Sequence, residues 1–238
     1  ALASGQIVSI EDESVMIAGT VSASPVFDDT DMEGNVAIAG GDIRLLGVNI
    51  DANGQIILEA TNDIAINPLR GGQFNLPTDA SFFADADSDG QGNFLMDANN
   101  QLITNGNDVI IQGANIILGT IDTSFGEGNA GNINISASGD VTGRALLTTS
   151  IGEGNGGDIR VNGGGTIQIG TLNSSFSDEA FAPINTSNPF GSGGDVVLTG
   201  DLIRILGADK QGNSIITDGR SVVRRQPEDG RTIDGNLN

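Results

Sequence analysis

The residues best placed to do chemistry are Asp85-Ala86-Asp87-Ser88-Asp89-Gly90-Gln91-Gly92-Asn93. Carboxylates at alternate positions converge on one cation when the backbone turns, and Gly90 permits that turn. The run matches D-x-D-x-D-G, the first half of a calcium loop. Asp85, Asp87 and Asp89 would give side-chain oxygens, Gln91 a backbone carbonyl, and Asn93 a direct or water-bridged ligand. A calcium hand closes with a bidentate Glu, but here that position is Met96 and the acidic residue, Asp97, comes one later. No helix signals flank the loop. The expectation is therefore a structural Ca2+ held by Asp85, Asp87, Asp89, Gln91, Asn93 and Asp97, outside any helix-loop-helix hand. The plainer reading is a solvated acidic turn.

Other constellations are weaker. Two G-x-G-x-x-G matches start at Gly126 and Gly152. A dinucleotide site needs a helix after this motif, with phosphate at its N-terminus. Here a strand pattern follows, and Glu127 and Glu153 would repel phosphate, so both read as corners. Arg44, Arg160 and Arg204 each stand between two apolar residues and should point outward. Most simply they are solvated partners of nearby Asp; a face for anionic glycans is the sharper reading. Eliminative or hydrolytic attack on an acidic polysaccharide would need calcium at Asp85–Asp97 and Arg160 or Arg204 as base. With 10 basic residues and no His, no catalytic or cofactor-binding residues are assigned and the chain is read as a non-enzyme.

The composition narrows the partners. The formal charge is −21, which opposes nucleic acid and anionic lipid because both need Lys and Arg contacts. Absent Cys excludes disulfides and thiolate sites, and absent His removes the commonest general base. No apolar run is long enough to span a membrane. The start, Ala1-Leu2-Ala3-Ser4, has no basic region leading into an apolar core and reads as a mature or cut end.

These residues must be positioned by a repeat. Gly131-Asn132-Ile133-Asn134-Ile135 returns as Gly157-Asp158-Ile159-Arg160-Val161, and Ser124, Gly126, Glu127, Gly128 and Asn129 recur with the same 26-residue offset. A fixed period in this range marks a solenoid. The shorter pattern [Gly/Asn]-[Asn/Asp]-[Ile/Val]-x-[Ile/Val/Leu] occurs seven times, at Gly34, Gly41, Asn62, Asn107, Gly131, Gly157 and Gly194. Each copy predicts a short half-buried strand entered from a turn. About three strands form each unit, with Gly or Asn at most corners, and no helical periodicity is sustained. The predicted fold is all-β: a single-stranded parallel β-helix of about seven coils over 1–218, each strand pairing with its equivalent one coil away. Insertions are expected at 68–100 and 176–192, because together they hold seven of the nine Phe and a narrow bore prefers Ile, Val and Leu. Residues 219–238 carry four of the ten basic residues and read as a linker, cap or cut tail.

The segments GNAGNINISASGDVT and GNGGDIRVNGGGTIQI resemble the repeats of filamentous-haemagglutinin-like exoproteins, especially the Gly/Asn-rich cyanobacterial type. The resemblance covers roughly residues 34–218. It is one of repeat style and includes no catalytic motif; the family's Asn-Pro-Asn-Gly secretion signature is missing. It implies a right-handed parallel β-helix in an extracellular or cell-surface protein, used in adhesion, aggregation or sheath formation. The partners so implied are a cell-surface glycan or protein, or copies of the chain end to end as a filament. A polysaccharide lyase or hydrolase is the remaining alternative.

Overall fold

The computed structural model describes residues 7–9, 15–23, 36–52, 54–67, 72–171, 182–207, 213–217, 223–226 and 233–235. The apolar positions within the strands alternate and are mostly β-branched or Leu, so every second side chain turns to one side. A lone strand of this kind cannot cover its apolar face, and stacking equivalent strands does so.

The first sheet stacks β1 (Ile7–Ser9), β3 (Val36–Gly40), β5 (Ile56–Ala60), β8 (Ala80–Phe83), β11 (Val109–Gly113), β13 (Ile133–Ala137), β15 (Ile159–Gly163), β18 (Val196–Thr199) and β21 (Val223–Gln226). All these neighbours are parallel. The second sheet stacks β2 (Val15–Ala23), β4 (Ile43–Ala52), β6 (Ile64–Asn67), β9 (Phe94–Met96), β12 (Ile116–Asp122), β14 (Val141–Leu147), β16 (Thr166–Gly170) and β19 (Leu202–Leu206), also parallel. β12 and β14 run on past this sheet, and their last residues join a third set of rungs. That set is β7 (Gln73–Asn75), β10 (Gln101–Ile103), the ends of β12 and β14, β17 (Ile184–Asn185) and β20 (Ile215–Ile216). The chain thus winds through three faces per coil, as a parallel β-solenoid.

Register turns the repeat into columns of like residues. Val36, Ile56, Ala80, Val109, Ile133, Ile159 and Val196 occupy equivalent rungs and are buried. So do Ile38, Leu58, Phe82, Ile111, Ile135, Val161 and Leu198. Phe74, Leu102, Ile121, Leu146 and Ile184 line the third face from inside. Each fully buried side chain of this size is worth about 1.5–3 kcal/mol relative to exposure.

The structure corrects three expectations. Residues 72–100 are not wholly a side insertion: β7, β8 and β9 lie there as rungs in register with their neighbours. The bore accepts Phe because Ala80 leaves room beside Phe82, whose ring meets Phe94 edge-on at 5.5 Å. Secondly, 176–192 contains β17, paired on both sides; Phe176 and Phe181 lie outside the described residues, and Phe190 is 77% exposed rather than excluding water. Thirdly, the described residues form eight coils rather than about seven, and β21 starts a ninth. The tail, expected to be a linker, cap or cut end, holds β21 and also β22 (Ile233–Gly235), which pairs antiparallel with β21.

Candidate functional site

The expected metal loop occupies the corner between β8 and β9. In the next coil this corner needs two residues, Ala114 and Asn115, between β11 and β12. Backbone pairing matches Ala114 with Gly92, since the Ala114 N–H donates to the Gly92 carbonyl. Phe94 pairs with Ile116, which puts Asn93 level with Asn115. Asp85–Gln91 is therefore extra chain, seven residues long, looped out of an ordinary corner. Its two ends meet: a Cβ on Gly92 would run into the Asp85 backbone nitrogen and the Asn62 carbonyl. Only glycine fits there, whatever the loop binds.

Within the loop the three carboxylates converge. Asp85, Asp87 and Asp89 each offer an oxygen, and these lie within 4.8 Å of one another. Asp85 and Ser88 adopt left-handed φ values of 59° and 60°, and Gly90 84°. Such values cost a non-glycine residue free energy, which local hydrogen bonds offset. The Gly90 N–H donates to both Asp85 carboxylate oxygens at 3.0 and 3.2 Å, and the Gln91 N–H to Asp89 Oδ1 at 2.9 Å. Three carboxylates on an exposed loop repel one another, so a divalent cation would relieve the crowding.

Of the other three expected ligands, Gln91 stays beside Asp89, whereas Asn93 and Asp97 are engaged in bonds of the coil. Asn93 belongs to the corner. Its Oδ1 accepts from the Asn115 N–H at 3.2 Å, and its Nδ2 donates to Asp63 and to the Gln91 carbonyl. That last bond occupies the Gln91 carbonyl, and the Gln91 side chain donates to Asp89 Oδ2 at 2.7 Å. Asp97 follows β9, where its Oδ1 accepts from the Asn99 N–H at 2.8 Å and caps that turn. It lies outside the group of three. The reason is geometric: the loop returns to the coil at Gly92, before Asp97 is reached.

The repeated Asn/Asp has a role that sequence reasoning missed. At the corner entering the first sheet, each such side chain accepts from the backbone of the next coil. Asp79 accepts from Asp108, Asp108 from Asn132, Asn132 from Asp158, and Asp158 from Asp195, at 2.6–2.9 Å. A second ladder at the next corner runs Asp63, Asn93, Asn115, Asp140, Thr166 at 2.7–3.2 Å. Asn residues also link sideways: Asn132 Nδ2 donates to Asp108 Oδ1 at 3.1 Å. The seven-fold recurrence of the triplet was the available signal. A third column is inward. Thr104, Thr123, Thr148 and Thr186 are fully buried, each hydroxyl donating to a carbonyl of its own coil. Thr148 thus faces in.

Both G-x-G-x-x-G runs are corners leading to β13 and β15. They stack backbone on backbone: a Cβ on Gly154 would collide with Gly128. Arg160 and Arg44 are solvated and pair with Asp158 at 2.8 Å and Asp42 at 3.7 Å. Arg160 stands on the first sheet, whereas Arg44 and Arg204 stand on the second. Arg160 is three coils from the acidic loop, roughly 14 Å along the axis. The constellation sketched for polysaccharide cleavage is not assembled among the described residues. Comparison with known protein families, curated proteins and solved structures finds no match, so the solenoid and its acidic loop stand on their geometry.

Proposed function

We propose that the chain is a β-solenoid stalk of an extracellular or cell-surface protein, acting in adhesion or scaffolding, with a structural Ca2+ at Asp85, Asp87 and Asp89. The observation that carries this reading is the looped-out corner. A segment the coil does not need gathers three carboxylates while leaving the rungs undisturbed. Extra-coil decoration on a rigid rod suits display and local stiffening. Dense backbone ladders and corner side-chain ladders suit a load carried along the axis. The −21 charge keeps such a rod soluble and favours cations over nucleic acid. No helix among the described residues is long and apolar enough to cross a membrane. End-to-end filament growth is less favoured, because β22 occupies the outer edge of β21.

Calcium is checked by thermal melting of the intact chain with the ion and with chelator. An ion bound only by the folded state stabilises by about 2.7 kcal/mol at a hundred times its Kd. An unmoved midpoint removes the calcium reading. Adhesion is checked with beads coated by the chain and offered to cells with and without calcium. Beads that never hold cells above an albumin-coated control overturn the adhesive reading.

A further inference from the structure

The third face carries a feature that neither the calcium loop nor the stalk uses. A groove of about 450 Å³ runs over its outer side, from Asn99–Gln101 in the fourth coil to Leu206 in the eighth. Four steps of about 4.8 Å make it roughly 19 Å long. Its floor is apolar, with Ala145 and Leu147 on β14 and Pro183 just before β17. Its walls carry amides, hydroxyls and a single carboxylate, that of Asp122. The one cation among the lining residues is Arg144, so the groove has no net charge in a strongly acidic protein.

The polar groups are held in place before any ligand arrives. Gln101 Nε2 donates to Asp122 Oδ2 at 3.1 Å across neighbouring coils, and Asp122 Oδ1 accepts from the Ser124 N–H at 3.0 Å. Thr149 Oγ1 and Ser124 Oγ are 2.9 Å apart. Asn100 also lines the groove and is only 9% exposed. Its Nδ2 is the one buried side-chain polar atom without a partner among the described residues.

We infer that this groove binds a short linear neutral oligosaccharide. The third-face strands are already paired on both sides, so their backbone cannot add a peptide strand and recognition falls to side chains. Amides and hydroxyls both donate and accept, as sugar hydroxyls do, and the apolar floor suits the carbon-bound face of a pyranose. The lone carboxylate and the overall charge oppose a polyanion. The inference rests on the surface-protein reading only for its choice of ligand class.

The test uses saturation-transfer NMR and calorimetry on the full chain with cellotetraose, chitotetraose and mannotetraose. Tetragalacturonate and tetraalanine serve as charged and peptide comparators. At least one neutral tetramer should bind. Asp122→Ala should weaken it at least tenfold, and Leu147→Trp, which fills the groove from an outward position, should abolish it while the chain still melts cooperatively. If none of the three neutral tetramers binds, or only a comparator does, the inference is overturned. Binding unchanged in Leu147→Trp overturns the groove as the site but leaves the adhesive reading standing. Failed bead adhesion with tetramer binding intact would sink the adhesive reading and spare the groove.

Discussion

At the residue scale, the corner side chains act between coils rather than within turns. Asn132 sits between Asp108 and Asp158, accepting from one backbone and donating sideways to the other carboxylate. Asp108 and Asp158 stand two coils apart, and an Asp at 132 would place a like charge one coil from each. Asn132→Asp should lower the melting midpoint at low salt, with much of the loss recovered at high salt, because added ions screen like charges. A midpoint equally low at both salt concentrations would mean that the lost Nδ2 bonds, not repulsion, set the cost. The buried threonines make a sharper demand. In Thr148→Val the Gly157 carbonyl loses its 2.6 Å donor with no water to replace it. The expected loss is about 1–3 kcal/mol by urea denaturation. Stability equal to the parent chain would show that this hydroxyl is not needed.

At the scale of elements, the acidic loop and the coil beneath it are separable. Removing Asp85–Gln91 leaves Ala84-Gly92-Asn93 to turn the corner, the counterpart of Gly113-Ala114-Asn115 one coil on. The shortened chain should fold, and its melting midpoint should be the same with calcium and with chelator. A chain that fails to fold would assign the loop a structural part in the coil itself. The loop was legible as a run of alternating Asp closed by Gly90. Its true extent was not, since Asp97 looks close in sequence and the return to the coil at Gly92 depends on a backbone contact with Asn62. The Phe-rich coil was misjudged for a similar reason. Phe82 and Phe94 lie on consecutive strands with the looped-out corner between them, and they meet only through the bore, where Ala80 makes space.

At the scale of the molecule, the apolar columns and side-chain ladders join every coil to the next. Stability in such a stack is a sum of coil terms and neighbour terms. Eight coils span seven steps, roughly 34 Å along the axis. Electron microscopy of the purified chain should show short separate rods, in calcium and in chelator alike. Regular filaments in either condition would overturn the placement of β22 as an edge-covering strand and restore the polymer reading. Phe125, Ile151, at 66% exposure, and Phe190 are exposed large apolar side chains near the corners of successive coils.

Local order alone determined the solenoid, because a strand entered from a Gly-Asn or Gly-Asp corner carries its signal within five residues, and a repeated signal can only stack. The same local chemistry marked the three converging carboxylates. What needed the tertiary structure was everything set by neighbours one coil away. Which Asp bond a backbone one coil away depends on residues 20 to 40 positions distant, and which Thr turns inward or which Phe joins the core depends on contacts that only the winding of the coil creates. Those distances are closed by the winding of the chain, and the sequence read in one dimension holds no measure of them.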